Sequence, residues 1–262
     1  MTILQIVGGG KMGEALIGGI LRGGDLAPGD VRVVEAVAER LEALAELFPG
    51  AQISPEIGPA AGTIIAVKPA GAAAVTAAVA AAGGGRILSI AAGVTLAQLE
   101  DAAGPGVAVV RAMPNTPALI GEGASAVAGG THASDADVDW AVGLLGAVGV
   151  VVRVDESQLD AVTALSGSGP AYVFLIGEAL IDAGVSAGLS RDLATTLAAQ
   201  TLVGSAQLMA QSDLVPSELR AAVTSPGGTT AAGVRVLEQR AVRAALIDAV
   251  HAAFERSREM AH

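Results

Sequence analysis

The segment Gly8-Gly9-Gly10-Lys11-Met12-Gly13 decides the fold of the N-terminal half of the chain. It follows the short apolar run 3–7 and opens the helical stretch 12–21. In a Gly-x-Gly-x-x-Gly turn, the first glycine permits the tight turn, the second lets the backbone approach a pyrophosphate, and the third allows close packing of helix on strand. The amides at the helix start then face the phosphates. The segment therefore predicts a dinucleotide-binding turn; the alternative is an ordinary glycine-rich turn between a strand and a helix.

Around this turn, apolar runs alternate with helical segments. Such alternation is typical of a parallel sheet with helices on both faces, so we predict an α/β fold with a Rossmann-like doubly wound sheet. We expect the last two strands, which follow shorter connections, to be antiparallel additions at the sheet edge. The predicted strands span residues 3–7, 31–34, 63–67, 86–90, 107–111, 121–130 and 148–154.

The pattern changes near Asp155, and residues 159–258 show no clear strand. The helix after Pro170 is apolar nearly all round, which requires burial on several sides. One small helical domain can hardly supply that cover, so we expect a partner subunit. The predicted domains are 1–157, which binds the dinucleotide, and 158–262, which is helical. The predicted helices of the second domain span residues 170–183, 191–211, 216–223 and 229–259, the last of which is open to a break.

The composition limits the classes of partner and site. The net charge of the 262 residues is −11, and a surface this acidic repels phosphate backbones, so nucleic acid is not an expected partner. The chain has no cysteine, which excludes thiol catalysis and cysteine–zinc sites. Its three histidines, His132, His251 and His262, are scattered, so we expect no metal site.

The N-terminus carries no targeting pattern. Residues 1–4 lead straight into a strand without a basic leader, so we expect a cytoplasmic protein. The apolar stretch 70–85 consists mostly of alanine and glycine. It is also short for a membrane span, which takes about 20 strongly apolar residues. We therefore expect a helix packed on a sheet there and no association with a membrane.

Glu35 ends the second predicted strand, where an acid typically accepts hydrogen bonds from the adenosine ribose hydroxyls. Such an acid favours NADH and repels the extra phosphate of NADPH. Arg40, slightly more than one helical turn further on, could weaken that selection. The alternative for Glu35 is a solvated carboxylate at a strand end.

A second glycine turn, Thr224-Ser225-Pro226-Gly227-Gly228-Thr229-Thr230, precedes the helix that starts at Ala231-Ala232. Consecutive amides of a Gly-Gly turn at a helix start form a concavity for an anion. Ser225 and Thr229 add hydroxyl donors, and the combination suits a small carboxylate. A merely capped helix start is the alternative.

Taken together, the motifs resemble one family, pyrroline-5-carboxylate reductase, over essentially the whole chain. The Ser-Gly-Ser-Gly-Pro-Ala and Ser-Pro-Gly-Gly-Thr-Thr segments are far more specific than the first glycine turn. In chain order, the matching segments after that turn are Ala66-Val67-Lys68-Pro69, Ser89-Ile90-Ala91-Ala92-Gly93, Arg111-Ala112-Met113-Pro114-Asn115-Thr116, Leu165-Ser166-Gly167-Ser168-Gly169-Pro170-Ala171-Tyr172 and the Ser225–Thr230 turn.

The resemblance implies a reductase that converts 1-pyrroline-5-carboxylate into L-proline with NADPH or NADH, the last step of proline biosynthesis. It also implies an all-helical C-terminal dimerisation domain that interlocks with a partner's, and often further assembly into decamers. Glu35 departs from the polar or basic residues often found at its position, which puts a preference for NADPH in doubt.

The resemblance also implies roles for individual residues. Thr230 would hydrogen-bond the substrate ring nitrogen and is the candidate catalytic residue. The implied substrate carboxylate site comprises Ser225, Gly227, Gly228 and Thr229. The implied cofactor contacts, to which Glu35 is added, are Gly8, Gly10, Lys11, Met12, Gly13, Ala66, Val67, Lys68, Pro69, Ala92, Met113, Pro114 and Asn115, the last three near the nicotinamide.

The residue types agree with imine reduction, because a protonated C=N group needs orientation rather than a strong acid. A 2-hydroxy-acid dehydrogenase would use a histidine or lysine as acid and base, and no candidate motif contains a histidine. Lys68 could serve as that lysine, although a place beside the cofactor phosphates is simpler. Two other functions stay open: a related dehydrogenase or imine reductase with another substrate, and a dinucleotide-binding sensor without catalysis.

Overall fold

The computed structural model of the chain describes residues 2–260. The described residues form two compact units, one of residues 2–168 with 253–260 and one of residues 169–252. The first unit contains all the strands within the described part of the chain, and the second consists of helices and their connections.

The first unit is built on an eight-stranded sheet with the order β3-β2-β1-β4-β5-β6-β7-β8. The first six strands are parallel, as predicted for a doubly wound fold. The last two run opposite to them, since β7 pairs antiparallel with β6 and β8 pairs parallel with β7. The strands are β1 Thr2–Val7, β2 Val31–Val34, β3 Gln52–Ser54, β4 Ala60–Ile65, β5 Arg86–Ser89, β6 Val109–Met113, β7 Gly123–Gly129 and β8 Gly149–Arg153.

Helices cover both faces of this sheet and close two apolar cores. Leu16 and Leu44 bury against one face, together with Leu145, and Val79 and Leu99 bury against the other. The doubly wound prediction is therefore confirmed. The helices concerned are α1 Lys11–Gly23, α2 Ala38–Leu47, α3 Pro69–Ala81, α4 Leu96–Ala103 and α5 Asp135–Gly146.

After β8 the chain forms a short helix, α6 Leu159–Val162, and then one π-helical segment, Thr163–Gly167. Leu159 is fully buried in the second core of the sheet, so this stretch packs with the first unit. The predicted domain boundary between residues 157 and 158 stays a prediction. The contacts add that residues up to 168 pack with the sheet.

The second unit consists of helices at nearly the predicted positions. The break within the last predicted helix falls at Arg240 and Ala241, where Ala241 adopts φ 54°. Residues 253–260 of the final helix pack with the first unit. The helices are α7 Gly169–Ser186, α8 Arg191–Gln211, α9 Pro216–Ala222, α10 Thr229–Gln239 and α11 Val242–Met260.

Candidate active site

The carboxyl end of β1 lies between β2 and β4, where the strand order reverses direction. Ligands of open α/β sheets bind in the crevice at such a point. A cavity of about 440 Å³ lies there, and its lining includes Gly8, Gly10, Glu35 and 66–68. The structure thus brings together six of the residues predicted to contact the cofactor.

Gly8 and Gly10 meet different requirements of the turn. Gly8 has φ 108°, and a Cβ atom there would lie 2.5 Å from the Ala66 carbonyl oxygen. A Cβ atom at Gly13 would collide with the Gly8 carbonyl oxygen. Around Gly10, by contrast, no atom lies within 4 Å of the Cβ position. The first and third glycines therefore serve close packing, and the second leaves the backbone open to a ligand.

The amino end of α1 directly follows Gly10, which lines this crevice. No side chain caps the helix at Gly10, and Glu14 is the residue whose N–H makes the first helical bond, 2.8 Å to the Gly10 carbonyl oxygen. The N–H groups of residues 11–13 have no partner inside the helix. They lie at the positive end of the helix dipole, so they fit a pyrophosphate.

Glu35 is held against the same turn by backbone groups. Its carboxylate accepts hydrogen bonds from the N–H groups of Gly9 at 2.9 Å, Ala36 at 2.7 Å and Val37 at 3.1 Å. Partial burial raises the pKa of Glu35, but these three hydrogen bonds and the nearby charge of Arg40 outweigh it and hold the pKa below its usual value. The carboxylate is therefore charged and fixed at neutral pH.

Arg40 is also engaged. Its Nε donates to the Gly9 carbonyl oxygen at 2.7 Å, and its guanidinium forms an ion pair with Glu14 at 2.5 Å. The sequence indicated only that Arg40 stands near Glu35. These two contacts could not be predicted, because they depend on how the first turn approaches α2.

The segment Ala66–Pro69 lies at the other side of the crevice. The strand predicted at 63–67 is β4, which ends at Ile65 and leaves Ala66 and Val67 in the connection. Lys68 occupies the N-cap position of α3, and Pro69 begins the helix. An exposed lysine at that place fits a role beside cofactor phosphates better than a role as a buried acid or base.

The remaining predicted cofactor residues follow β5 and β6 further along the sheet edge. Ala92 lies in the connection after β5 and is partly buried, and Met113 ends β6. Pro114 and Asn115 are buried. The Asn115 amide donates to the Ser166 carbonyl oxygen at 3.1 Å and accepts from the Ala124 N–H at 2.8 Å. Its side chain thus joins the sheet edge to the π-helical segment.

Arg111 and Glu156 form a second junction, which sequence reasoning missed. Arg111 is only 6% exposed and pairs with Glu156 at 2.8 Å, while the same carboxylate oxygen accepts from the Leu96 N–H at 2.6 Å. The two residues are 45 positions apart in sequence, and no local pattern indicates such a contact. The ion pair attaches Glu156 to the sheet, ten residues before Ser166, whose carbonyl oxygen accepts the hydrogen bond from Asn115.

The second glycine turn lies in the helical unit and also precedes an uncapped helix start. Gly227 has φ 71°, and the Gly228 N–H donates to the Ser225 carbonyl oxygen at 3.1 Å. Gly228 is the N-cap of α10 and no side chain caps the helix. The first helical bond is made by the Ala232 N–H, so the amides of residues 229–231 are the ones that point out of the helix.

Comparison with known proteins gives a consistent result over the full length. The family model described as pyrroline-5-carboxylate reductase dimerisation matches residues 156–260, and the model of NADP oxidoreductase, coenzyme F420-dependent, matches residues 3–93. A pyrroline-5-carboxylate reductase of Mycobacterium tuberculosis is 43% identical over 99% of this chain and 97% of its own. The chain belongs to the pyrroline-5-carboxylate reductase family.

Solved structures of pyrroline-5-carboxylate reductases have the same fold. The one from Coxiella burnetii is 32% identical and aligns with a TM-score of 0.92 over 100% of this chain and 99% of its own. The one from Plasmodium falciparum, determined with NADP bound, is 30% identical and aligns with a TM-score of 0.86 over 100% and 98% of the two chains. The fold and the use of NAD(P)H are those of this family.

The helical unit has the surface of an assembly domain. Among the described residues 169–252, the buried hydrophobic residues are Ala194 and Ala198, whereas Phe174 and Leu175 are each 66% exposed in the single chain. An apolar face of this extent marks an interaction site. By length and composition alone, residues 156–186 could also span a membrane, yet they fall within the dimerisation match. The match to the dimerisation family indicates that the exposed apolar side chains of the helical unit are covered by self-association.

Proposed function

We propose that the chain reduces 1-pyrroline-5-carboxylate to L-proline with NADPH or NADH, as the last step of proline biosynthesis. The observation that carries this proposal is the presence of two uncapped glycine helix starts, at Gly10 and Gly228, in one member of this family. A sensor that only binds the dinucleotide has no use for the second one. A reductase for a substrate without a carboxylate has none either.

The first turn has the task of binding. We infer that the amides of residues 11–13 hold the pyrophosphate, and that Lys68 and the backbone at Ala66 and Val67 line the path of the dinucleotide. Lys11, Met12, Gly13, Pro69 and Ala92 complete the proposed contacts, with Met113, Pro114 and Asn115 near the nicotinamide. When bound, the reduced nicotinamide supplies the hydride.

The second turn has the task of orientation. We infer that the amides of Thr229 and Thr230 and the hydroxyls of Ser225 and Thr229 hold the substrate carboxylate, while Gly227 and Gly228 shape the backbone around it. The Thr230 hydroxyl then hydrogen-bonds the ring nitrogen. Hydride addition to the protonated C=N carbon gives the secondary amine directly, so the residues contribute positioning and no strong acid.

The test is turnover of the purified protein with 1-pyrroline-5-carboxylate and either reduced cofactor, followed by nicotinamide absorbance and by mass-spectrometric detection of proline. We expect proline to form in step with cofactor oxidation. Absence of oxidation with both cofactors would overturn the proposal. A shift of cofactor fluorescence on binding without any turnover would favour the sensor.

We also propose that domain 158–262 forms a homodimer, with a decamer as the alternative, and that the protein works in the cytoplasm without nucleic acid or membrane. The net charge of −11 supports the exclusion of nucleic acid. Light scattering coupled to gel filtration distinguishes two subunits from ten. Recovery in the membrane fraction after cell lysis would contradict the cytoplasmic location.

A further inference from the structure

In the turn after β2, backbone N–H groups bind the carboxylate of Glu35, a side chain of the turn itself. Three backbone N–H groups, of Gly9, Ala36 and Val37, converge on the carboxylate of Glu35 at 2.7–3.1 Å. Convergent backbone amides of this kind form a binding site for an anionic oxygen. In this chain the site is filled by a side chain from within the turn itself.

This place is also where dinucleotide-binding folds discriminate between the two nicotinamide cofactors. At the end of the second strand, a carboxylate binds the adenosine ribose hydroxyl of NAD, or a nearby arginine accommodates the 2′-phosphate of NADP. Glu35 and Ala36 both line the cavity that contains the first turn. The filled amide site therefore faces the ribose end of the proposed cofactor path.

We propose that the Glu35 carboxylate occupies the position at which the 2′-phosphate of NADPH would bind, and that the reductase therefore selects NADH. This inference rests on the proposed function in one respect, because NADH would be the hydride donor of that reaction. It concerns the choice of cofactor, which neither the family assignment nor the fold decides.

The remaining acceptor capacity of the carboxylate agrees with NADH. Oε1 accepts from Ala36 and Val37, and Oε2 accepts from Gly9 alone. A carboxylate has about four acceptor positions, so Oε2 keeps one for a ribose hydroxyl. A phosphate group in the same place would meet a fixed negative charge and find the amides already bonded.

The neighbouring cation does not change this balance. Arg40 donates to the Gly9 carbonyl oxygen and pairs with Glu14, and both side chains are partly buried. A phosphate would have to replace that pair before it gained a guanidinium contact. Lys68 lines the same cavity but follows β4 instead of β2. The arrangement thus has an anion in the phosphate position and a guanidinium that is already neutralised.

The test measures binding of NADH and NADPH by isothermal titration calorimetry, without 1-pyrroline-5-carboxylate. We expect the wild-type protein to bind NADH more tightly, by on the order of tenfold. Glu35→Ser opens the amide site, and we expect NADPH to gain about ten- to hundredfold in affinity while NADH weakens. Glu35→Gln removes the charge but keeps the site filled, so its gain in NADPH affinity is expected to be much smaller.

Two further variants separate this proposal from simple charge repulsion. Glu14→Gln frees Arg40, and we expect it to strengthen NADPH binding in the Glu35→Ser background but hardly at all alone, because the amide site is then still filled. Glu39→Gln, an exposed acid in the first turn of α2, serves as the matched control and leaves both affinities unchanged.

Tighter binding of NADPH by the wild-type protein would overturn the proposal, as would equal NADPH gains in Glu35→Ser and Glu35→Gln. Melting curves exclude unfolding, and Glu35→Gln, which keeps the shape of the side chain, still reports if Glu35→Ser does not fold. Because no substrate is present, these results do not depend on turnover. The protein can therefore prefer NADH without reducing 1-pyrroline-5-carboxylate, and it can reduce this substrate without preferring NADH.

Discussion

The two units of the chain treat their large apolar residues in opposite ways. In the first, side chains such as Leu4, Ile6 and Leu16 are fully buried within the single chain. In the second, only two alanines are buried among the described hydrophobic residues, and Phe174 and Leu175 lie open. The first unit therefore has a hydrophobic core of its own, although Val150 and Leu165 remain exposed, whereas the second must acquire its core by association.

The same contrast applies to the two glycine turns. The first lies on a rigid sheet, and its surroundings are fixed by buried contacts such as the close approach of Gly8 to Ala66. The second lies in a unit that associates, and Ser225 and Thr229 are exposed in the single chain. Cofactor binding is thus expected to be a property of one subunit, and substrate binding a property of the assembly.

The largest expected effect comes from Phe174→Asp. A buried large apolar side chain contributes about 1.5–3 kcal/mol, and an unpaired buried charge costs more. Because a two-fold interface contains the change twice, the dissociation constant of the assembly should rise roughly a thousandfold or more. Light scattering is expected to show monomers at micromolar concentration, together with loss of turnover and retained cofactor binding.

Ile120→Asp is the matched control, since Ile120 is exposed in the first unit at the end of the 3-10 helix Thr116–Ile120. We expect its subunit number and turnover to equal those of the wild type. If Phe174→Asp left the oligomer intact, the conclusion that the second unit obtains its core by association would be wrong.

Gly8→Ala tests the first turn. The φ of 108° and the collision with the Ala66 carbonyl oxygen should cost about 1–3 kcal/mol of unfolding free energy, measured in urea. Gly10→Ala has open space and φ −68°, so it meets no collision, and only the poorer N-cap preference of alanine should cost stability, about 0.5–1 kcal/mol. Cofactor affinity should nevertheless fall, because the methyl group fills the approach of the pyrophosphate.

Equal destabilisation by the two substitutions would contradict this division of roles between the glycines. Subunit number provides an additional reading, because Gly8 belongs to the first unit. We expect Gly8→Ala to leave the assembly intact at temperatures where the protein stays folded. Dissociation of the folded variant would show that the two units depend on each other more than their cores indicate.

Much of the first unit could be predicted from sequence, since long apolar runs and their glycine boundaries are local. The strand at 31–34 has the predicted bounds, but β3 was missed because its three residues contain one strongly apolar side chain, Ile53. The break at Ala241 was only loosely predicted, since neither glycine nor proline marks it. Local signals thus predict elements well when they are long.

The contacts of the candidate site were less predictable than its members. Glu35 was expected at the end of β2, but its three amide partners depend on the turn conformation. Asn115 was expected near the nicotinamide, whereas its bonds to Ser166 and Ala124 join distant parts of the chain. A motif predicts which residues gather, and the tertiary structure decides which of their atoms remain free for a ligand.

Thr230→Ala tests the second turn with a smaller effect. Loss of one orienting hydrogen bond, worth about 1–1.5 kcal/mol, should lower kcat roughly tenfold. The dissociation constant of the cofactor should stay within about a factor of two, since its binding belongs to the first unit. Thr230→Ser keeps the hydroxyl and should restore most of the rate. Unchanged kcat in Thr230→Ala would exclude the hydroxyl from the reaction.

The smallest effect concerns the start of α5 in the first unit. Ser134 donates to Asp137 through its hydroxyl at 2.6 Å and its N–H at 2.9 Å. The Ser134 hydroxyl is the main reason that the pKa of Asp137 lies below its usual value; burial opposes it, and the Ser134 N–H and Arg86 add to it. A carboxyl group whose pKa is lower in the folded protein stabilises the fold fully at pH values above its pKa in the unfolded chain. This stabilisation is lost as the pH falls through its pKa in the folded protein.

Asp137→Asn should therefore cost about 0.5–1 kcal/mol of unfolding free energy at neutral pH. The difference from wild type should stay constant down to about pH 4.5 and shrink below it, because both proteins are then neutral at this position. Asp135→Asn, an exposed acid in the same helical turn, is the control and should show a weaker pH dependence. Since α5 covers the sheet, the change should leave subunit number untouched. If the difference in unfolding free energy between wild type and Asp137→Asn grew on acidification, the charged Asp137 carboxylate would destabilise the first unit. Its capping role would then be wrong.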